Sequence, residues 1–289
     1  MSHSYHHFVD EFVRTLDQAR ELPLGDLPPA PAPRVHDNAP RVLILAPHPD
    51  DESITGGLAL RLRRELSFRV SAVAVTQGSR VDRRGARFEE MRGACHFLGF
   101  EVIATRTNGL GGLAEISLRT RERNPGAWAE ATAALAQIID YHRPAVLVMP
   151  HDQDFHSTHL GVHRLAADAL ATLGPGFRCK VVETEYWRAM ADPNLMIESS
   201  PADVADLVAA VSFHRGEVAR NPHHLLLPAW MADNVRRGSE LVGGQGASAA
   251  GGHFATLYRL REWASGGFAP CLDAPRLMAA DADLGVLFS

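Results

Sequence analysis

An α/β fold, a mainly parallel sheet flanked by helices, is predicted by three observations. Short apolar runs alternate with segments of helical periodicity several times between residues 40 and 220. The runs themselves, Val42-Leu43-Ile44-Leu45 and Ala145-Val146-Leu147-Val148-Met149 among them, are continuously apolar rather than alternating, as in strands covered on both faces. The richest clusters of His and Asp then stand directly after two of these runs, where open α/β sheets place their ligands.

The elements follow in order. Residues 1–22 (FVDEFVRTLDQAREL and its approach) read as a helix, and PLGDLPPAPAPRVHDNAP as a proline-rich connector. The first strand is 41–46, followed by a helix over GGLALRLRREL. A second buried strand starts at Arg69, and GARFEEMRGACHFLGF is a helix stopped by Gly99, a residue suited to the left-handed position after a helix. EVIATR is a third strand; residues 107–127 are glycine-rich and irregular. A helix over AWAEATAALAQIIDYHR, a fourth strand at PAVLVMP, a helix over STHLGVHRLAADALATL, a fifth strand at KVVETEYW and a helix over PADVADLVAAVSFHRGEVAR complete the alternation. The Gly- and Pro-rich tail after 221 is expected to form loops, a small appended layer or a contact between subunits. The chain thus divides into an N-terminal helix and proline-rich connector over 1–39, an α/β region over 40–220, and C-terminal elements over 221–289 that complete the same domain or form an oligomer interface.

Composition bounds the partners. A chain of 289 residues, 46% hydrophobic and 22% charged, has room for one large α/β domain or two small ones. A formal charge of −5 argues against a nucleic acid or an anionic membrane as partner, since both attract basic surfaces. Three cysteines without a CxxC suit a reducing compartment, and neither a signal-type apolar segment nor a membrane span stands in the sequence. A cytoplasmic location is expected.

The two motifs carry the chemistry. The first strand opens into PHPDDE, with His48, Asp50, Asp51 and Glu52 side by side; the fourth opens into MPHDQDFHSTH. Adjacent carboxylates repel, and burying them needs a compensating positive charge. A catalytic zinc site takes three protein ligands and leaves one position open. His48, one of the paired aspartates, and one of His156 or His159 would supply that set, leaving the other aspartate free to accept a proton. His156 and His159, three apart at a helix start, share a face. Glu52 opens a helix, where an acid suits the dipole whatever the chemistry. Arg87 reads equally as a ligand-binding residue or as the ion-pair partner of Glu90. Asp154, two residues before His156, reads as its orienting carboxylate or as a simple loop acid.

LILAPHPDDESITGG resembles the signature of the LmbE-like, or PIG-L, family of zinc-dependent N-deacetylases. RFEEMRGACHFLG resembles that family's Arg-x-x-Glu helix and DFHSTH its second metal motif, over roughly residues 40–190. The resemblance implies a Rossmann-like sheet and a metal held by His48, Asp51 and His159, with zinc expected and Fe2+, Co2+ or Mn2+ as alternatives. It implies Asp50 as general base and a protonated His156 as the group that steadies the oxyanion. The implied substrate is a small molecule bearing an N-acetylated amino sugar, with Arg87 and Asn108 as expected substrate contacts and Asp154 behind the site. The chain departs from the pattern at Thr158, where the family usually has Asp, and at Gly216-Glu217, where many members have Ser-Gln. Asn108 likewise stands where an Asp is common.

Two further readings compete. A dinucleotide-binding module would need G-x-G-x-x-G after the first strand, where PHPDDES stands instead. A metal-retaining but non-hydrolytic sugar-binding protein, or a deacylase of a non-sugar amide, differs only in function. Finally, NPHHLLLPAWMADNVRRGSELVGG contains Trp230, Met231, Arg236 and Arg237 and no Lys, the composition of an interface core. It predicts a homo-oligomer with this segment at the subunit contact, or else a lid over the crevice.

Overall fold

The computed structural model describes residues 3–105, 113 and 115–288. Nine strands form one sheet: β1 (Arg41–Ala46), β2 (Arg69–Ala74), β3 (Glu101–Ala104), β4 (Val146–Pro150), β5 (Cys179–Thr184), β6 (Leu195–Glu198), β7 (Ala255–Ala264), β8 (Gly267–Pro270) and β9 (Arg276–Met278). Their order is β3-β2-β1-β4-β5-β7-β6-β9, with β8 paired to β7. Strands β1 to β5 are mutually parallel, in register Val42↔Val70 and Val42↔Val146. β7 runs antiparallel to both β5 and β6, and β9 closes the edge parallel to β6.

The helices are α1 (Ser4–Ala19), α2 (Asp51–Ile54), α3 (Gly57–Glu65), α4 (Arg84–Leu98), α5 (Leu118–Arg123), α6 (Pro125–His142), α7 (Ser157–Thr172), α8 (Pro201–Ser212), α9 (Arg215–Val218), α10 (His223–Leu241) and α11 (Gly285–Phe288). The continuous apolar run of β1 has a direct cause. Val42, Ile44 and Ala46 point into a core shared with α3, α4 and α8, whereas Leu43 and Leu45 point into the opposite core with α6 and α7. α4 stops at Gly99, whose φ of 71° is the left-handed position that glycine adopts without cost.

Three expectations need correction. The helix expected over 201–220 is broken: α8 ends at Ser212, and His214, with ψ 58°, turns its side chain into a buried hydrogen bond before α9 begins. β6 was not foreseen. The tail after 221 forms more than loops or an appended layer, because α10 packs on α8 and β7, and β7 supplies ten residues to the middle of the sheet. Of the segment expected at a subunit contact, Leu225, Leu227 and Met231 are buried within the chain itself, whereas Leu226 is half exposed. No described helix is long and apolar enough to cross a membrane.

Candidate active site

From β1 the chain proceeds outward to β2 and β3; from its neighbour β4 it proceeds the other way, to β5. The carboxyl ends of β1 and β4 therefore flank the switch point in strand order, where such sheets open a crevice. PHPDDE leaves one end and HDQDFHSTH the other, and the fold brings the two motifs together.

His48 Nδ1 lies 3.3 Å from Asp51 Oδ2, Asp51 Oδ2 lies 3.5 Å from His159 Nε2, and His159 Nε2 lies 3.3 Å from His48 Nδ1. His156 stands beside them: one nitrogen from each of His48, His156 and His159 falls within 4.8 Å of the others. Asp154 supports both histidines of the second motif. Its Oδ1 accepts the His156 backbone N–H at 2.8 Å, and its Oδ2 accepts the Trp187 N–H at 3.2 Å and sits 3.6 Å from His159 Nδ1. A carboxylate behind the distal nitrogen keeps the proton there and turns the Nε2 lone pair toward Asp51 and His48.

The charges respond to this crowding. Burial raises the Asp50 carboxyl well above the ordinary aspartate range, and the neighbouring charge of Asp51 raises it further. Burial acts on Asp51 in the same direction, but His159 and His48 outweigh it and bring Asp51 down to about 2. Burial, then His48 and His159, lowers His156, which disfavours the protonated form that the family resemblance implied. The neutral form is already set up to donate. His156 caps α7, its Nδ1 accepting the Thr158 N–H at 3.2 Å, so the ring proton belongs on Nε2.

Around this cluster lies a cavity of about 600 Å³. His48, Asp50, Asp51 and His156 form its floor, and Trp187, His223, Leu226, Leu227 and Trp230 an apolar wall. Arg87 lines it as well. It is not the partner of Glu90, whose Oε1 accepts the Gly216 N–H instead; Arg87 donates to the Pro49 carbonyl at 2.9 Å. Asn108 lies outside the described residues. Trp128 is a core residue, its indole N–H bonded to Asp168, and His151 is buried between the Arg188 carbonyl and the Gln153 N–H. His223 lines the cavity, and His224 is buried. Sequence reasoning missed Tyr186, whose ring meets His159 edge-on at 4.7 Å, and His214, whose Nε2 lies 2.8 Å from Glu52.

With the geometry in view, the likenesses to known proteins become informative. Residues 43–170 match the PIG-L family, described as GlcNAc-PI de-N-acetylase. A 1D-myo-inositol 2-acetamido-2-deoxy-alpha-D-glucopyranoside deacetylase of Mycolicibacterium gilvum is 31% identical over 186 residues, 54% of this chain and 61% of that relative. The chain therefore spans about three fifths of that relative's length. Among solved structures, the N,N'-diacetylchitobiose deacetylase of Pyrococcus horikoshii superposes with a TM-score of 0.55 at 14% identity, over 94% of this chain and 98% of its own. GalB, the 4-carboxy-2-hydroxymuconate hydratase of Pseudomonas putida KT2440, superposes equally well: TM-score 0.55, 15% identity, over 76% of this chain and 95% of its own. At these identities the structures share the fold, and the hydratase demonstrates that the fold alone does not fix the reaction. The sequence match over residues 43–170 is to the PIG-L family, and the fold is shared with solved deacetylases.

Proposed function

We propose that this protein is a zinc-dependent hydrolase that removes the acetyl group from an N-acetylglucosamine-type amino sugar. One observation carries the metal part of this reading. Zinc bonds of about 2.0–2.1 Å at tetrahedral angles separate neighbouring ligand atoms by about 3.3–3.4 Å. His48 Nδ1, Asp51 Oδ2 and His159 Nε2 are 3.3, 3.5 and 3.3 Å apart, one triangular face of that tetrahedron. The donor set, two imidazoles and a carboxylate, would suit zinc, and three protein ligands are the number a hydrolytic zinc site uses. Fe2+, Co2+ and Mn2+ accept the same donors.

Bound there, the metal supplies Lewis acidity, polarising the scissile carbonyl and acidifying water. The chain's own residues supply the proton transfers. Asp50 accepts the proton of the attacking water at a carboxylate oxygen and returns it to the departing amine nitrogen as the C–N bond breaks. Its raised affinity for a proton suits the second half of that cycle. His156 offers Nε2–H to the carbonyl oxygen as negative charge develops, with no change of protonation needed. Asp154 keeps His159 and His156 in their working orientations.

The sugar assignment rests on the deacetylase relatives, and the carboxylates Asp50 and Asp51 beside the imidazoles suit amide hydrolysis. Acetate release from a panel of N-acetylglucosaminides, measured before and after chelation, tests it. Metal-dependent release from at least one member is expected; a metal-replete protein that releases acetate from none contradicts the function.

A further inference from the structure

The Pro49–Asp50 peptide unit stands out on two counts. Asp50 has φ 121° and ψ −31°, a conformation that a residue with a Cβ adopts only where its surroundings impose it. Both polar groups of that one peptide plane are then gripped by charged side chains. The Asp50 N–H donates to Glu52 Oε2 at 2.9 Å, and the Pro49 carbonyl accepts from Arg87 Nη2 at 2.9 Å.

Neither grip stands alone, and both are backed from the same short segment far away in sequence. Glu52 is fully buried, and its other oxygen meets His214 Nε2 at 2.8 Å and accepts from Ser53 Oγ at 2.9 Å. Arg87 is backed by the buried Glu217, whose Oε1 lies 3.7 Å from Arg87 Nε and 3.1 Å from Arg83 Nη2. His214 and Glu217 bracket the start of α9, the place where the helix expected over 201–220 breaks. Two glycines make room: a Cβ at Gly78 would collide with Arg87 Nη1, and one at Gly216 with Arg83 Nη2.

We infer that Glu52–His214 and Arg87–Glu217 are the two jaws of a clamp that fixes the Pro49–Asp50 peptide plane and thereby aims the Asp50 carboxylate. Resting on the hydrolase reading for its catalytic consequence, the clamp makes Glu52, His214, Arg87 and Glu217 positioning residues, and moves Arg87 from substrate contact to support of the base. It also gives a structural reason for the Gly216-Glu217 departure. Glutamate there adds a full negative charge behind Arg87, and glycine admits Arg83 to the same carboxylate.

The clamp is tested by crystal structures and kinetics of Glu52→Ala, Arg87→Ala and the double variant, with the unfolding temperature and metal content recorded for each. Expected are an Asp50 φ that leaves the positive region once a jaw is removed, unchanged metal content, and a kcat lower by about a hundredfold, since misplacing a reacting group by about 1 Å costs that much. KM should stay within about threefold. The double variant should lose little more than the worse single, because both jaws hold one peptide plane. Glu52→Gln, which keeps an acceptor for the Asp50 N–H, should retain most of kcat and decides the matter should Glu52→Ala not fold. Asp50 holding φ near 121° in both single variants overturns the clamp, as does loss of metal with Glu52→Ala. The crystallographic arm stands even if the parent releases no acetate, an outcome that would defeat the hydrolase reading alone.

Discussion

The two walls of the crevice were built in different ways. The floor comes from two stretches of a few residues each, 48–51 and 154–159, that leave adjacent strand ends, and its groups converge within hydrogen-bonding range. The opposite wall comes from α10 and the turn before it, more than fifty residues further along the chain, and carries Arg220, His223, Leu226, Leu227 and Trp230. The floor holds two imidazole nitrogens and a carboxylate oxygen in a triangle; the wall offers area and shape. Under the proposed function, bond-making would be confined to segments whose position the sheet dictates, and selectivity left to helices whose position depends on the whole fold.

If that division is right, changes to the floor should act on kcat and changes to the wall on KM. The largest effect is expected of Asp50→Asn, which removes the proton acceptor without touching His48, Asp51 or His159. kcat should fall by about a hundredfold to ten-thousandfold with metal content unchanged. A variant of nearly parental activity would place the base elsewhere. Next comes the wall. Trp230→Ala should raise KM about tenfold, equivalent to ~1.4 kcal/mol of lost binding, and leave kcat within about threefold. An equal fall in kcat would erase the distinction between the walls.

The smallest effect is a test of stability away from both walls. Glu183 lies fully buried on β5 between His163, Arg259 and Arg261. Burial alone would raise its carboxyl, but the bonds from His163 and Arg259 outweigh it and bring it from 4.5 down to about 2. The unfolded chain therefore binds the proton more readily than the folded one between those values, so this contribution is present above about pH 4.5 and is lost as pH falls toward 2. Unfolding temperatures across that range should fall more steeply for the parent than for Glu183→Gln. Parallel curves would remove Glu183 from the acid response.

What the sequence disclosed follows the same line. PHPDDE and DFHSTH were legible because a continuous apolar run announces a buried strand, and a cluster of His and Asp at its end has few purely structural uses. The spacing of Asp154 from His156 left an orienting carboxylate and a loop acid equally open, and its place 3.6 Å from His159 Nδ1 emerges only in the fold. Glu52 and His214 were not, because their meaning arises from a contact spanning 162 positions that no local pattern encodes. The break before α9 was hidden for the same reason: its helical periodicity is genuine, and a tertiary hydrogen bond overrides it. β7 was missed because its residues, ATLYRLREWA, mix arginines with apolar side chains. Those arginines are satisfied by Glu183 on the neighbouring strand, with Asp152 and Asp192 completing the partners of Arg259.

The account turns on the triangle of His48, Asp51 and His159, and metal analysis of His159→Ala beside the parent tests it most directly. One zinc or equivalent divalent ion per chain is expected in the parent, and a protein that remains folded but is stripped of both metal and acetate release is expected in the variant. Full metal occupancy in His159→Ala would contradict the assignment.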